Sequence, residues 1–358
     1  MKIGIVTYHR TLNYGACLQA VATRLVLEKL GHEAYYVDYW PTYHKSKYEL
    51  FSWYIIKTAG LKKIMSYIYL SFKHYSLRKK RIENFKEFQE KYIEPYCRST
   101  QEKYDVVIYG SDQIWRWQKE IQGYNPVYFG YNDIDTKKHV SYAASMGILP
   151  DSKEKENVIK EYVSHLDKIS VREKDLKNYL EMLGFNNVHL DLDPTLLVPK
   201  SLWDTIVSPS CITNEKYLLL YIMGANGFDM NEVYKFASFK KLKVKILRGY
   251  ANTRETNDNI VTASPEVFLG VLKGAEYVFS SSFHGLAFSI IYHKQCFASF
   301  LRNSGRAASL LESLGISERL LPAKSKIPMN IGAINYEEVD KMLQSYQTIS
   351  LDYLTNLK

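Results

Sequence analysis

Lys2-Ile3-Gly4-Ile5-Val6-Thr7-Tyr8, the run Ala16 to Leu30, and Ala34-Tyr35-Tyr36-Val37-Asp38-Tyr39 form the stretch on which the fold turns. The first segment is a short apolar run of strand type. The second keeps apolar residues at helical spacing and ends at Gly31, a helix C-cap; the third is again strand-like. Strand, polar loop, helix, Gly-His turn and strand at these lengths make a βαβ unit, which predicts a parallel α/β sheet. Open sheets of that kind bind ligands beyond the carboxyl ends of their strands, and Tyr8-His9-Arg10-Thr11-Leu12-Asn13-Tyr14-Gly15 lies at such an end. The loop is not GxGxxG, so it carries no dinucleotide fingerprint.

Further strands end in polar turns of the same sort. Tyr104 to Tyr109 runs into Gly110-Ser111-Asp112-Gln113, Val140 to Ala144 into Ser145-Met146-Gly147, and Lys168 to Val171 into Arg172-Glu173. Asp112 reads equally as a ligand contact or as the N-cap of a helix holding Trp115 and Trp117. Arg172 reads as a planar clamp for carboxylate or phosphate, or as half of a surface pair with Glu173. Asp193-Pro194-Thr195 closes the series, and Leu196 to Asn214, with Pro199 and Pro209, reads as a linker. A second α/β series then begins at Tyr217. It reaches Phe279-Ser280-Ser281-Ser282-Phe283-His284-Gly285, a strand, a hydroxyl-rich turn and a helix start, where free N–H groups can meet an anion. Alone, His284 reads as well as a hydrogen-bonded core histidine. Arg306 opens a later helix, and residues 336–358 are expected as a terminal helix packing back on the first domain.

At 358 residues the chain exceeds one ordinary core, and about 150 residues per domain gives two. The expected architecture is therefore two Rossmann-like domains, 1–198 and 215–335, facing across a cleft. An insertion over 44–97 is different: basic, tyrosine-rich and helical in period, with the cluster Arg78-Lys79-Lys80-Arg81. It reads either as a solvated helical face or as an amphipathic element that contacts an anionic membrane or holds a phosphorylated carrier. The net charge of +9 leaves nucleic acid, a membrane surface or a phosphorylated substrate open, but no nucleic-acid motif accompanies the basic residues. Cys17, Cys97, Cys211 and Cys296 stand at no metal-ligand spacing, which predicts free thiols, no metal and a reducing compartment. The N-terminus enters a strand directly, and lysines interrupt the apolar run Phe51 to Phe72. A cytoplasmic protein is expected, in peripheral contact with the membrane if the insertion serves that purpose.

Asn13, Tyr14, Asp112, Arg172, Ser281, Ser282, His284 and Arg306 are thus the candidates to line the cleft. Two arginines, a histidine and hydroxyls without a metal set describe a site for a small polyanion and a proton transfer. No G-x-S-x-G elbow and no Walker loop is present.

Five segments in order resemble the polysaccharide pyruvyl transferase family: Asn13-Tyr14-Gly15-Ala16-Cys17-Leu18-Gln19-Ala20, Gly110-Ser111-Asp112-Gln113-Ile114-Trp115, Ser170-Val171-Arg172-Glu173, Asp193-Pro194-Thr195-Leu196-Leu197, and Ser282-Phe283-His284-Gly285 followed by Arg306. The resemblance implies a GT-B-like fold and transfer of a pyruvyl group from phosphoenolpyruvate to two hydroxyls of a sugar, as a cyclic ketal. It implies a donor site at Arg172 and His284, joined here by Ser281, Ser282 and Arg306. His284 and Asp112 are assigned the catalytic roles, and Asn13, Tyr14 and Gln113 the acceptor. Many relatives read Ser-x-Arg-x-His where this chain has Ser280-Ser281-Ser282-Phe283-His284, so either Arg306 or Arg302 supplies the charge or the donor is held differently. No cofactor is called for beyond phosphoenolpyruvate as donor, and the basic insertion hints at a lipid-diphosphate-linked acceptor. A nucleotide-sugar glycosyltransferase and a non-catalytic carbohydrate-binding protein are the alternatives on the same fold.

Overall fold

Alternate residues of each central strand feed two different cores, as strands buried on both faces must. The computed structural model describes residues 1–52, 56, 60–208 and 215–357. In the first unit β1 (Lys2–Val6) is followed by α1 (Tyr14–Lys29) and β2 (Glu33–Val37). A helical hairpin, α2 (Leu61–Lys73) and α3 (Tyr75–Tyr92), precedes β3 (Cys97–Arg98), β4 (Val106–Tyr109) and β5 (His139–Ser141). Then come α4 (Lys153–Val163), β6 (Ser170–Val171), α5 (Lys174–Met182) and β7 (His189–Leu190). The strands run parallel in the order β3-β2-β1-β4-β5, and single bridges from Val140 to Lys168 and Ala144 to Val171 attach the β6–β7 pair. Ile3, Ile5, Val106 and Ile108 enter one core, while Val6, Val107 and Tyr109 enter another.

The second unit repeats the plan with β8 (Tyr217–Ile222), α7 (Met230–Phe239), β9 (Lys243–Arg248), β10 (Asn259–Ile260), α8 (Pro265–Gly274), β11 (Tyr277–Ser280), α9 (Phe283–Ile291), β12 (Gln295–Ala298) and α10 (Gly305–Ser313). Its parallel order is β10-β9-β8-β11-β12. Tyr217, Leu219 and Tyr221 face the same core as Ile3 and Ile5, so a continuous apolar core joins the units beneath the cleft.

The link between the units is not a loose linker over its described part. α6 (Lys200–Asp204) buries Trp203, whose Nε1 donates to the Thr195 carbonyl at 3.2 Å and whose ring meets Phe288 edge-on. Leu196, Leu197, Ile206 and Val207 are buried with it, and Pro209 to Asn214 lie outside the described residues. The last helix, α11 (Tyr336–Thr355), touches both units. Tyr353 donates to the Ser141 carbonyl at 2.8 Å and Ser350 accepts from the Leu192 N–H at 2.9 Å, while His293 of the second unit lies 3.1 Å from Asp340.

The basic cluster of the hairpin divides. Lys79 and Lys80 are exposed, but Arg81 is buried, donates to the Tyr14 hydroxyl, the Leu12 carbonyl and the Val261 carbonyl, and lies over the rings of Tyr14 and Phe85. Asn84 donates to the Thr262 carbonyl. α3 is thus a strut between the units, and the reading of the insertion as a solvated basic face fails at Arg81. Cys17, Cys97 and Cys296 are free thiols, and Cys211 lies outside the described residues.

Candidate functional site

The carboxyl ends of β1, β4 and β11 open into one cavity of about 640 Å³ between the units. Asn13, Asp112, Gln113, Ser281, Ser282, His284 and Arg306 line it. Asn13 is also the cap of α1, its Oδ1 accepting from the N–H groups of Gly15 and Ala16 at 3.0 and 3.4 Å. The Ser281 hydroxyl ties β11 to β8, accepting from Met223 N–H at 3.1 Å. Ser282 is the N-cap residue of α9 but makes no side-chain bond to the helix N–H groups.

Tyr14 does not reach the cavity. Its ring stacks on Phe268 with centroids 4.9 Å apart, and Arg81 holds its hydroxyl, so its acceptor assignment is corrected to a place in the core. Asp112 heads no helix: its φ is +73° and the chain continues in turns. The cap reading fails there, and Trp115 is anchored in the core by its own Nε1, which donates to the Tyr128 carbonyl at 2.8 Å. Glu173 is buried and accepts from the Ser145 hydroxyl, so it forms no surface pair with Arg172; burial raises its carboxyl above the usual range, against the pull of Arg172 and Arg306.

Arg172 stands behind the cavity wall rather than in it. It lines a small void that shares Phe283 and Arg306 with the main cavity. Its guanidinium carbon lies 4.6 Å from the Phe283 ring centroid, and that of Arg306 lies 5.7 Å from the same ring. One Arg172 nitrogen, Nη1, donates to Asp193, while Nη2 is 3.7 Å from Asp112 Oδ1, beyond hydrogen-bond reach.

Asp193, read in the sequence only as the turn that ends the first series, is the hub of the cluster. Fully enclosed, it accepts from Arg172 and Ser111 (3.2 Å) on Oδ2, and from the Thr195 N–H (3.0 Å) and hydroxyl (2.6 Å) on Oδ1. His284 Nε2 is 3.5 Å from the same Oδ2. Burial alone would raise the Asp193 carboxyl, but the charges of His284 and Arg172 and these hydrogen bonds hold it well below the usual carboxylate range.

Several nitrogens of the cluster are enclosed without a hydrogen bond: Arg172 Nε and Nη2, Arg306 Nε and His284 Nε2. Burial first, then the charge of Arg172, pushes Arg306 down to about 10. Enclosed donors of one sign without acceptors are the complement of an anion. The cavity extends this charge, with Lys47, Arg78, Arg81, Arg116 and Arg302 against Glu49 and Asp112. Arg116, with His44, Tyr8 and Tyr48, went unnoticed in the sequence, where only its position three residues beyond the Asp112-Gln113 turn pointed to it. Among the described residues no group of His, Cys, Asp and Glu is disposed to hold a metal.

Two Rossmann-like units thus meet at a cavity lined by hydroxyls and by more bases than acids, at the carboxyl ends of their strands. A model of the polysaccharide pyruvyl transferase family matches residues 13–299, and the chain belongs to that family. No curated protein matches it in sequence. Among solved structures it is similar to a putative UDP-N-acetylglucosamine 2-epimerase from Listeria monocytogenes, with 12% identity, TM-score 0.47, and coverage of 100% of this chain and 91% of the other. It is also similar to UDP-GlcNAc 2-epimerases from Neisseria meningitidis (10%, TM-score 0.45, 100% and 95%) and Methanocaldococcus jannaschii (13%, TM-score 0.44, 96% and 92%).

Proposed function

We propose that this member of the family transfers the pyruvyl group of phosphoenolpyruvate to two hydroxyls of a sugar, in a polysaccharide or lipid-linked precursor, and releases phosphate. The observation that carries the reading is the Arg306 guanidinium, whose Nε is enclosed without a hydrogen bond, in the cavity wall beside Ser281, Ser282 and His284. Phosphoenolpyruvate brings the carboxylate and phosphate that such a guanidinium lacks. Arg306, at the cavity surface, takes the donor's charge together with Ser281 and Ser282. Arg172 forms the rear wall and holds Asp193 in place. Family membership supports the sugar acceptor.

His284, backed by Asp193, protonates C3 of the enol phosphate, and C2 becomes electrophilic. One sugar hydroxyl adds to C2 and gives its proton to Asp112. The C2–O bond to phosphate then breaks, and the second hydroxyl closes the ketal. Of the two protons that the hydroxyls lose, one replaces the proton His284 gave to C3 and the other leaves with phosphate, so the balance closes without a cofactor. Asn13 and Gln113 face the acceptor from the opposite wall.

Thermal shift tests the donor directly. Phosphoenolpyruvate at saturating concentration is expected to raise the melting temperature of the wild type, and UDP-sugars to leave it unchanged. A shift with nucleotide sugars alone would move the reading to a glycosyltransferase.

A further inference from the structure

We propose that the outer face of α2 is a docking surface for an anionic phospholipid bilayer, an inference that rests on the reading above only for its purpose, delivery of a lipid-linked acceptor to the cleft. Leu61, Met65, Tyr69 and Phe72 are 76, 65, 62 and 68% exposed. With Ile68 they recur at helical spacing along one face, and Tyr75 continues the patch into α3. A contiguous apolar stripe of this size is rare on a surface meant to meet only water.

What covers it is decided by charge and by position. Lys73, at the end of α2, and Lys79 and Lys80, one turn beyond Tyr75 on α3, are exposed, and the sequence between His44 and Arg81 holds a single acid, Glu49. A basic rim around an apolar, aromatic face is the composition of helices that lie in a headgroup layer. A second copy of the chain fits poorly, because a two-fold contact would set these like charges against each other. The opposite face of the same helix is the wall of the cavity: Tyr67, Leu70 and Ser71 line it, as does Arg78 on α3, which donates to Ser71. A bilayer seated on the outer face therefore lies at the edge of the cleft, where the head of a lipid-borne sugar enters. Among the described residues no helix is long and apolar enough to cross a membrane, so the contact is with the surface.

Sedimentation of the full chain with phosphatidylcholine vesicles, with and without phosphatidylglycerol, tests the surface. Binding is expected only with phosphatidylglycerol and is expected to fall as salt rises. The combined substitution Leu61→Ser, Met65→Ser, Tyr69→Ser and Phe72→Ser, and separately Lys79→Glu with Lys80→Glu, should each weaken partition by about tenfold or more. Both variants should keep the wild-type melting temperature and the wild-type rate with a water-soluble acceptor. No binding to anionic vesicles, or equal binding by both variants and wild type, overturns the docking surface whatever the transfer assay gives. So does conversion of a wild-type dimer to a monomer by the serine variant with vesicle binding unchanged. Vesicle binding without pyruvyl transfer overturns the catalytic reading and leaves this surface standing.

Discussion

The ring of His284 packs on the backbone of Gly15, so that a Cβ built at Gly15 would overlap Nδ1 and Cγ of the imidazole. Gly15 belongs to the first turn of α1 and His284 to the first turn of α9. The positive ends of two helices, one from each unit, therefore meet at the proposed acid, an arrangement that favours a negatively charged ligand.

A methyl group at that contact is expected to displace the imidazole. Gly15→Ala should lower kcat about 100-fold, the scale of an ångström's misplacement, and stability by roughly 1–3 kcal/mol. Steady-state kinetics and urea unfolding measure the two effects; wild-type kcat in a folded variant would remove the contact from the mechanism.

Asp193→Asn removes the enclosed anion that Arg172 and His284 share. Breaking such a buried pair should cost about 3–5 kcal/mol, and turnover should fall by roughly 10⁴-fold. The folded carboxyl lies below its unfolded value, so its stabilisation is complete above the unfolded value of about 3.9 and is lost as the pH falls from there toward the folded one. Urea midpoints between neutral and acid pH should show wild type and variant converging at the acid end. A constant gap would assign the loss to another cause.

Arg306 and Arg302 both line the cavity with Ser282, but only Arg306 carries an enclosed, unpartnered nitrogen, and Arg302 is exposed. Arg306→Ala should reduce kcat/KM for phosphoenolpyruvate by about 100-fold or more. Arg302→Ala should change it less than about fivefold. The reverse order would make Arg302 the cation that answers Ser282.

Two histidines make the fold acid-sensitive earlier than its carboxylates do. Burial, then the charge of Arg10, lowers His9 to about 4; burial, then Lys47 and Arg116, lowers His44 to about 3. The unfolded chain takes up these protons near pH 6.5 while the folded one does not, so stability falls as the pH drops from about 6.5 toward those values. His44→Phe should flatten that limb of a melting-temperature profile, and an unchanged slope would assign it elsewhere.

Much of this was legible because the strands carry their own signal. Two faces buried at once give near-continuous apolar runs such as Val106 to Tyr109 and Tyr217 to Ile222, and polar turns mark their ends. Asp112 and His284 stand at such turns, and Arg306 at the start of the helix that follows β12. Tyr14 misled because it sits in the same loop as Asn13, and only packing against Phe268 and Arg81 decides that its ring turns inward. The role of Asp193 was invisible for a related reason: Arg172 lies 21 residues away in the chain and His284 comes from the other unit, so their convergence is a property of the assembled units. Arg81 likewise reads as one more solvated base until α3 is laid between the units.

Mass spectrometry of lipid-linked and soluble sugars incubated with phosphoenolpyruvate and either wild type or His284→Ala tests the central claim most directly. The wild type should add one pyruvyl ketal to a sugar with equimolar phosphate release. His284→Ala should unfold cooperatively, with a melting temperature lowered no more than that of Asp193→Asn, and lose product formation by about 1,000-fold or more. Equal ketal formation by the two proteins, or transfer from a nucleotide sugar in place of phosphoenolpyruvate, would contradict it.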